Sequence, residues 1–111
     1  MTSVNQNFKI YAGDTAQVNI GVTQSDVAAS LSNASVVWIV EESPKSGSLV
    51  RLTTDNGISV SGSIITLSIS PSNTSSLTGN YYHEVEVVDV SGNISTVTTG
   101  TVTVKRSGAG Y

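Results

Sequence analysis

His83 is the first residue whose type could support chemistry, because it is the only histidine in the chain. A Ser-His-Asp site requires the imidazole to reach both a nucleophile and a carboxylate. The chain has no cysteine to act as a partner, and its serines are spread over predicted loops. His83 falls on the apolar side of an alternating stretch, so we expect it to bond a buried backbone or hydroxyl group. Burial would disfavour its charged form. The sequence therefore predicts no catalytic residue and no enzyme.

Four aspartates lie in or beside predicted turns, where their carboxylates could bind calcium. Calcium prefers several oxygen ligands that converge from loops. The chain has no dense run of the Asp-x-Asp-x-Asp kind, and a single Asp beside Gly usually stabilises the turn itself. We expect no cofactor and no metal, but the sequence leaves open whether one of these loops binds calcium. The four residues are Asp14, Asp26, Asp55 and Asp89.

The charge and hydropathy of the chain argue against nucleic acid and membrane as partners. The net charge is -3, and only two of the five basic residues, Lys105 and Arg106, are adjacent. No basic stripe is therefore present to neutralise phosphates. The N-terminus lacks the basic and apolar regions of a signal peptide. The longest apolar run, 36–40, is too short to span a bilayer, so we expect a chain that is soluble when made.

Alternating side chains predict the strand that positions His83. The period is two residues, which is typical of a strand with one dry face and one wet face. Turn residues follow at 89–93, and a second strand is expected over 94–105, so the two strands form a hairpin. The dry face comprises Tyr81, His83, Val85 and Val87, and the wet face comprises Tyr82, Glu84, Glu86 and Val88.

Short strands separated by turn signals about every ten residues predict an all-β sandwich of roughly seven or eight antiparallel strands. Two details favour an immunoglobulin-like sandwich: Trp38 at the centre of the strand 35–42, and Tyr81 placed as a tyrosine corner after the turn 77–79. Without cysteine no disulfide can form, so packing alone must hold the core around Trp38, Tyr81 and His83. Gly100 is expected to mark a bulge in the last strand.

The sequence also predicts where the domain begins and ends. We expect an N-terminal arm over residues 1–6, the sandwich over 7–105, and a C-terminal tail over 106–111. The tail is rich in Gly and Ser, which bury little surface.

Residues that alternate with the predicted core should form an outward face across neighbouring strands. This face has an apolar centre, a tyrosine and a charged edge, a composition that is typical of a protein contact surface. The alternative is that its Val and Ile residues only satisfy strand propensity. We favour the contact interpretation. The predicted face consists of Val37, Ile39, Glu41, Tyr82, Glu84, Glu86 and Val88.

Four short stretches carry a resemblance to a known family. They are Phe8 followed by Gly13-Asp14-Thr15, then Val37-Trp38, then LTGNYYHEVEVVD at 77–89, and GNISTVTTGTVTV at 92–104. Together they resemble small immunoglobulin-like virion proteins of tailed bacteriophages, and are similar to the N-terminal domain of phage upper-baseplate proteins. In this comparison His83 occupies the place of the second cysteine of an antibody domain.

The resemblance implies a non-enzymatic structural protein that is made in the host cytoplasm and located in the virion. Such a protein would dock on capsid, head–tail or fibre components as a decoration or a connector, and self-association into a homo-oligomer is left open. A different class of function, a surface adhesion or carbohydrate-binding module, is the alternative. For that alternative, Tyr82 and Tyr111 are the aromatic residues that could stack on a sugar.

Overall fold

The computed structural model describes residues 4–24, 27–28, 31, 33–43 and 45–105, which form eleven strands and one four-residue helix. The expectation of an all-β fold is confirmed. No helix among these residues is long and apolar enough to cross a membrane. The elements are β1 (Val4–Asn5), β2 (Phe8–Tyr11), β3 (Ala16–Gly21), β4 (Thr23–Gln24), β5 (Val27–Ala28), β6 (Ser35–Glu41), β7 (Ser48–Thr54), β8 (Gly57–Ser61), β9 (Ile64–Ile69), α1 (Pro71–Thr74), β10 (Gly79–Val88) and β11 (Ile94–Lys105).

Nine of these strands belong to one mixed sheet that curls into a nearly barrel-shaped layer. The order along the sheet is β1-β11-β10-β6-β7-β8-β9-β3, and β2 also pairs with β11. Strands β4 and β5 pair with each other in a separate two-stranded sheet. Both N-terminal strands run parallel to β11, and the contact between β7 and β8 is also parallel. The expectation of antiparallel strands alone was therefore wrong.

The joint between β7 and β8 is the place where the sheet bends. Only two residue pairs connect these strands, Thr53 with Gly57 and Thr54 with Ile58. Asp55 and Gly57 have positive φ angles of 68° and 99°, so the chain makes a tight loop here and β8 continues in the same direction as β7. Such a short contact lets the two halves of the sheet turn towards each other, and one core cluster contains buried side chains from both halves.

Along β6 and β10, every second side chain points into this core. Trp38 on β6 and His83 on β10 are 0% exposed. Tyr81 is half-buried against the core, and its hydroxyl donates to the carbonyl of Thr78 at 2.9 Å. The hydroxyl also accepts the N–H of Thr78 at 3.1 Å. The sequence prediction that Tyr81 bonds back to the preceding turn is therefore confirmed.

Val4 and Asn5, which the sequence predicted as part of an N-terminal arm, form a strand of the sheet. Val4 pairs with Thr98 and Asn5 pairs with Thr99. The N–H of Gln6 then donates to the carbonyl of Thr99 at 2.9 Å. This strand has only two residues, too few to show an alternating pattern, and its structure comes from pairing with β11. The predicted tail 106–111 and residues 1–3 lie outside the described residues.

The bulge in β11 lies at Val97, three residues before the position that the sequence predicted. Val85 pairs with Thr98 and Glu86 pairs with Thr96, which leaves Val97 as the extra residue. Gly100 instead pairs regularly with His83. A side chain at position 100 would overlap the carbonyl of Gln6, so the glycine lets the N-terminal segment cross β11 closely.

We expect Gly100→Ala to lower the free energy of unfolding by about 2–3 kcal/mol, because overpacking against backbone costs energy of this order. Urea denaturation would measure this change. Gly21→Ala is the matched control, since a Cβ there would meet only Ile64 Cδ1 at an ordinary 3.7 Å. Equal and small effects in both variants would contradict the proposed crossing.

Candidate functional site: the outer face of strands β6 and β10

The predicted contact residues share the outer face of two neighbouring strands. β6 and β10 pair antiparallel, so Val37 lies opposite Glu86 and Ile39 lies opposite Glu84. On both strands these residues alternate with fully buried ones such as Trp38. The structure therefore brings the predicted set together on one side of the sheet. Its half-buried members are Val37, Ile39, Tyr82, Glu84, Glu86 and Val88.

The face continues onto the strands on either side. Ile39 lies opposite Arg51 of β7, and on the other side Glu84 lies opposite Thr99 of β11. In the next row Val37 lies opposite Thr53. The surface therefore has two β-branched apolar side chains at its centre. The carboxylates and then Thr99 lie on one side, and Arg51 and Thr53 lie on the other. Such a mixed surface can bury an apolar partner while its charged groups set the orientation.

Glu41 differs from the other predicted contact residues, because the structure buries it. Only 7% of its surface is exposed. Its carboxylate accepts the backbone N–H of Gly47 at 3.0 Å and that of Lys45 at 3.3 Å. Lys45 and Gly47 have positive φ angles, and their N–H groups turn towards this carboxylate. Glu41 thus stabilises the loop between β6 and β7 and does not lie open on the face.

The phenol of Tyr82 is fixed in place on this face. Its hydroxyl donates to Glu84 Oε2 at 2.8 Å. Burial, followed by this hydrogen bond to a carboxylate, raises the pKa of Tyr82 to about 12. The ring is therefore neutral at physiological pH and is held beside Glu84. The spacing of two residues on one strand places both side chains on the same face and could have predicted the contact.

The hairpin between β10 and β11 extends the face in a way that the sequence analysis missed. Val90 is 74% exposed and Ile94 is 66% exposed. Ile94 lies opposite Val88, so the apolar surface continues to the end of the hairpin. Asp89 holds the turn through its carboxylate, which accepts the N–H groups of Ser91 and Asn93, both at 2.9 Å. The sequence did contain a sign of this extension, because the apolar residues Val88, Val90 and Ile94 lie in and beside the turn.

The hydrogen bonds to Asn93 lower the pKa of Asp89, so its carboxylate stays ionised and the turn is stable at neutral pH. Asp14 and Asp55 also lie in turns, and Asp26 lies outside the described residues. In the part of the chain that the structure describes, no three His, Cys, Asp or Glu side chains come close enough to hold a metal ion.

His83 lies in the core and is engaged at both ring nitrogens. Trp38 Nε1–H donates to His83 Nδ1 at 3.0 Å. This leaves Nε2 as the protonated nitrogen, which donates to the carbonyl of Gln6 at 2.6 Å. The ring of Phe8 packs edge-on against the imidazole with centroids 4.9 Å apart. The expectation of a buried backbone partner is confirmed, and no ring nitrogen is free to take a proton from a nucleophile.

The fold and this face define an all-β domain with an amphipathic sheet surface. A search against known protein families finds no model that matches the chain, and a search of curated proteins finds no match either.

The buried state of His83 predicts a specific dependence of stability on pH. Burial lowers the pKa of His83 below its usual value of 6.5, and the hydrogen bond to Gln6 opposes this in part. The unfolded chain therefore takes up the proton first as pH falls. We expect the free energy of unfolding to be constant just above about pH 7 and to fall as the pH drops below about 6.5.

Urea denaturation at a series of pH values would measure this fall, and the variant His83→Gln is the control. The variant should lose the part of the dependence that begins at about pH 6.5. The pKa shifts of Asp89 and Tyr82 do not obscure the effect of His83 on stability. Asp89 affects stability only as the pH falls below 3.8, and Tyr82 only as it rises above 10. If the free energy of unfolding of the wild type did not fall below about pH 6.5, the burial of a neutral histidine would be contradicted.

Proposed function

We propose that the chain is a non-enzymatic, immunoglobulin-like structural module of a tailed-phage virion. It docks on capsid, head–tail or fibre components through the outer face of β6 and β10, as a decoration or a connector. The observation that carries the proposal is the assembly of three half-buried residues, Val37, Ile39 and Val88, and the exposed Ile94 into one apolar surface strip bordered by Glu84 and Glu86. The location in a virion rests on the resemblance of the sequence motifs, because a fold alone does not imply a function.

Three features support the immunoglobulin-like part of the proposal. Trp38 is buried in the middle of β6, and Tyr81 bonds back to Thr78 as a tyrosine corner does. His83 follows Tyr81 by two residues, the place of the second cysteine in antibody domains. Its hydrogen bond to Trp38 links the paired strands β6 and β10 inside the core.

The physical make-up of the face supports docking on a protein partner. Its side chains are carried by strands whose inner residues are fully buried, so little entropy is lost when the face binds. Its apolar centre can exclude water, and the charged border can select the orientation of a partner. On a symmetric particle many copies would bind at once, so weak individual contacts would give firm attachment.

The alternative, an adhesion or carbohydrate-binding module, is favoured by one observation. A groove of about 670 Å³ lies between the segment before β6 and the strands β7 and β8. Its lining is rich in hydroxyl, amide and carboxylate groups that could bond a sugar. These groups belong to Asn33, Ser35, Thr54, Asp55 and Ser59. None of the lining residues is aromatic, so the stacking surface that sugar sites commonly use is missing from this groove.

Two substitutions on the face test the proposal. Val37→Lys places a charge in the apolar centre, and Tyr82→Ala removes the fixed ring, so each should weaken binding to the particle at least about tenfold. Light scattering of the purified chain, alone and mixed with empty capsids or with tails assembled without it, would measure the binding. Both variants should keep the wild-type unfolding midpoint within a few degrees.

Ser59→Lys is the matched control, because Ser59 is exposed on β8, away from this face. It should bind particles as the wild type does. Unchanged binding in both face variants would contradict docking through this surface. The alternative would be favoured if the wild-type chain does not bind capsids or tails but binds a glycan array. The variant Asn33→Ala should then lose the binding to glycans.

A further inference from the structure

The two ends of the sheet differ in how well they are protected against pairing with another strand. At one end of the sheet lie the N-terminal strands β1 and β2. They are short, with two and four residues, and two residues outside any strand, Gln6 and Asn7, separate them. That edge also carries Lys9. Short strands, breaks and lysines are common devices that prevent edge-to-edge association.

The other end of the sheet, β3, has none of these devices. Its six residues, AQVNIG, include no proline and no charge. All six pair with β9 in an unbroken register from Ala16–Ile69 to Gly21–Ile64. Within the described residues, no strand pairs with the opposite edge of β3. A regular, uncharged edge of this length is a template for a further strand.

The hydrogen bonds to β9 reveal which backbone groups point to the open edge. The N–H of Val22, one residue beyond β3, donates to the carbonyl of Ser63, which continues the same register. In an antiparallel ladder, alternate residues bond to the same neighbour. The even-numbered residues of β3 therefore bond to β9. The N–H and C=O groups of Gln17, Asn19 and Gly21 point to the open edge.

We propose that two copies of this chain associate by antiparallel pairing of β3 with β3, in a register centred on Asn19. In this register Asn19 lies opposite Asn19 of the second copy, and Gln17 lies opposite Gly21. Every N–H and C=O group that points to the open edge then finds a partner, so about six hydrogen bonds form. Because one symmetry axis satisfies all of these groups, the association closes at a dimer.

The side chains beside the edge fit the same register. Val18 points to the core but is only half-buried, because no strand covers its outer flank. Pairing places it against Ile20 of the second copy. On the outer surface, Ile64 is 41% exposed and lies over Gly21, which has no side chain to cover it. The Gln17 side chain of the second copy would lie opposite Gly21 and shield Ile64.

A disulfide cross-link tests the register directly, because the natural chain has no cysteine. Directly opposed residues of a hydrogen-bonded pair have Cα atoms about 5.5 Å apart, within the range that a disulfide spans. Asn19→Cys should therefore form a covalent dimer under mild oxidation. In Gln17→Cys the two cysteines would be about 13 Å apart along the strands, so cross-linking should be at least about tenfold slower. Equal rates in the two variants would overturn the register.

A proline substitution tests whether the edge itself makes the contact. Asn19→Pro removes an N–H that points away from β9, and proline is tolerated at such an edge position. Light scattering of the full chain should give a dimer that dissociates on dilution for the wild type and for Asn19→Ala, but a monomer for Asn19→Pro. Hydrogen exchange of the Gln17, Asn19 and Gly21 amides should be slow in the dimer and fast after dilution.

A wild-type chain that is monomeric at millimolar concentration would overturn the proposal, whether or not these amides exchange slowly. A dimer that persists in Asn19→Pro would also overturn it and would indicate a different surface. The β6 and β10 face is not part of this contact. Failure of the dimer would therefore leave the binding of particles by Val37 and Tyr82 variants as a separate result.

Discussion

The two hydrogen bonds of His83 are the interaction on which the rest of the structure depends. They connect Trp38 on β6 with Gln6 between β1 and β2, through a ring that has no exposed surface. A buried polar group without a partner is costly, so these three groups must keep their mutual positions. The imidazole is neutral, with its one ring hydrogen on Nε2. This form accepts the N–H of Trp38 at Nδ1 and donates to the carbonyl of Gln6 at Nε2. Gly100 belongs to the same arrangement, because only a residue without Cβ allows the Gln6 carbonyl to approach the ring.

This internal arrangement explains why the outer face is well defined. Val37, Ile39, Glu84 and Glu86 each lie between two buried residues, as Ile39 lies between Trp38 and Val40. A strand whose inner side chains are locked cannot twist or slip without exposing them, since a slip by one residue would reverse both faces. The apolar strip that ends at Ile94 is therefore presented as a rigid surface. Tyr82 adds to this rigidity, because its hydroxyl is already bonded to Glu84 before any partner arrives.

The sequence predicted those parts of the fold that depend on local alternation. The two faces of β10, the burial of Trp38 and His83, and the bond of Tyr81 to the turn before it all follow from spacing along one strand. The parts that it did not predict depend on residues distant in the chain. Val4 and Asn5 form a strand only because β11 supplies the partner groups. Glu41 has the alternation of a surface residue, but the loop that follows it turns two N–H groups towards its carboxylate. Likewise, the role of Gly100 is set by Gln6, which lies far away in the sequence.

The hydrogen bond between Gln6 and His83, which completes the core, also explains why no described strand pairs with the outer edge of β3. An N-terminal strand could in principle cover β3, but here it must lie along β11 so that Gln6 reaches His83. Within the described residues no strand covers the edge of β3, because the N-terminal residues are needed at the opposite end of the sheet. A pair of copies joined at β3 would keep both outer faces of β6 and β10 accessible, since those strands lie in the other half of the sheet. Such a pair would carry two identical docking faces on one rigid body, and the second contact with a particle would then form at a high effective concentration.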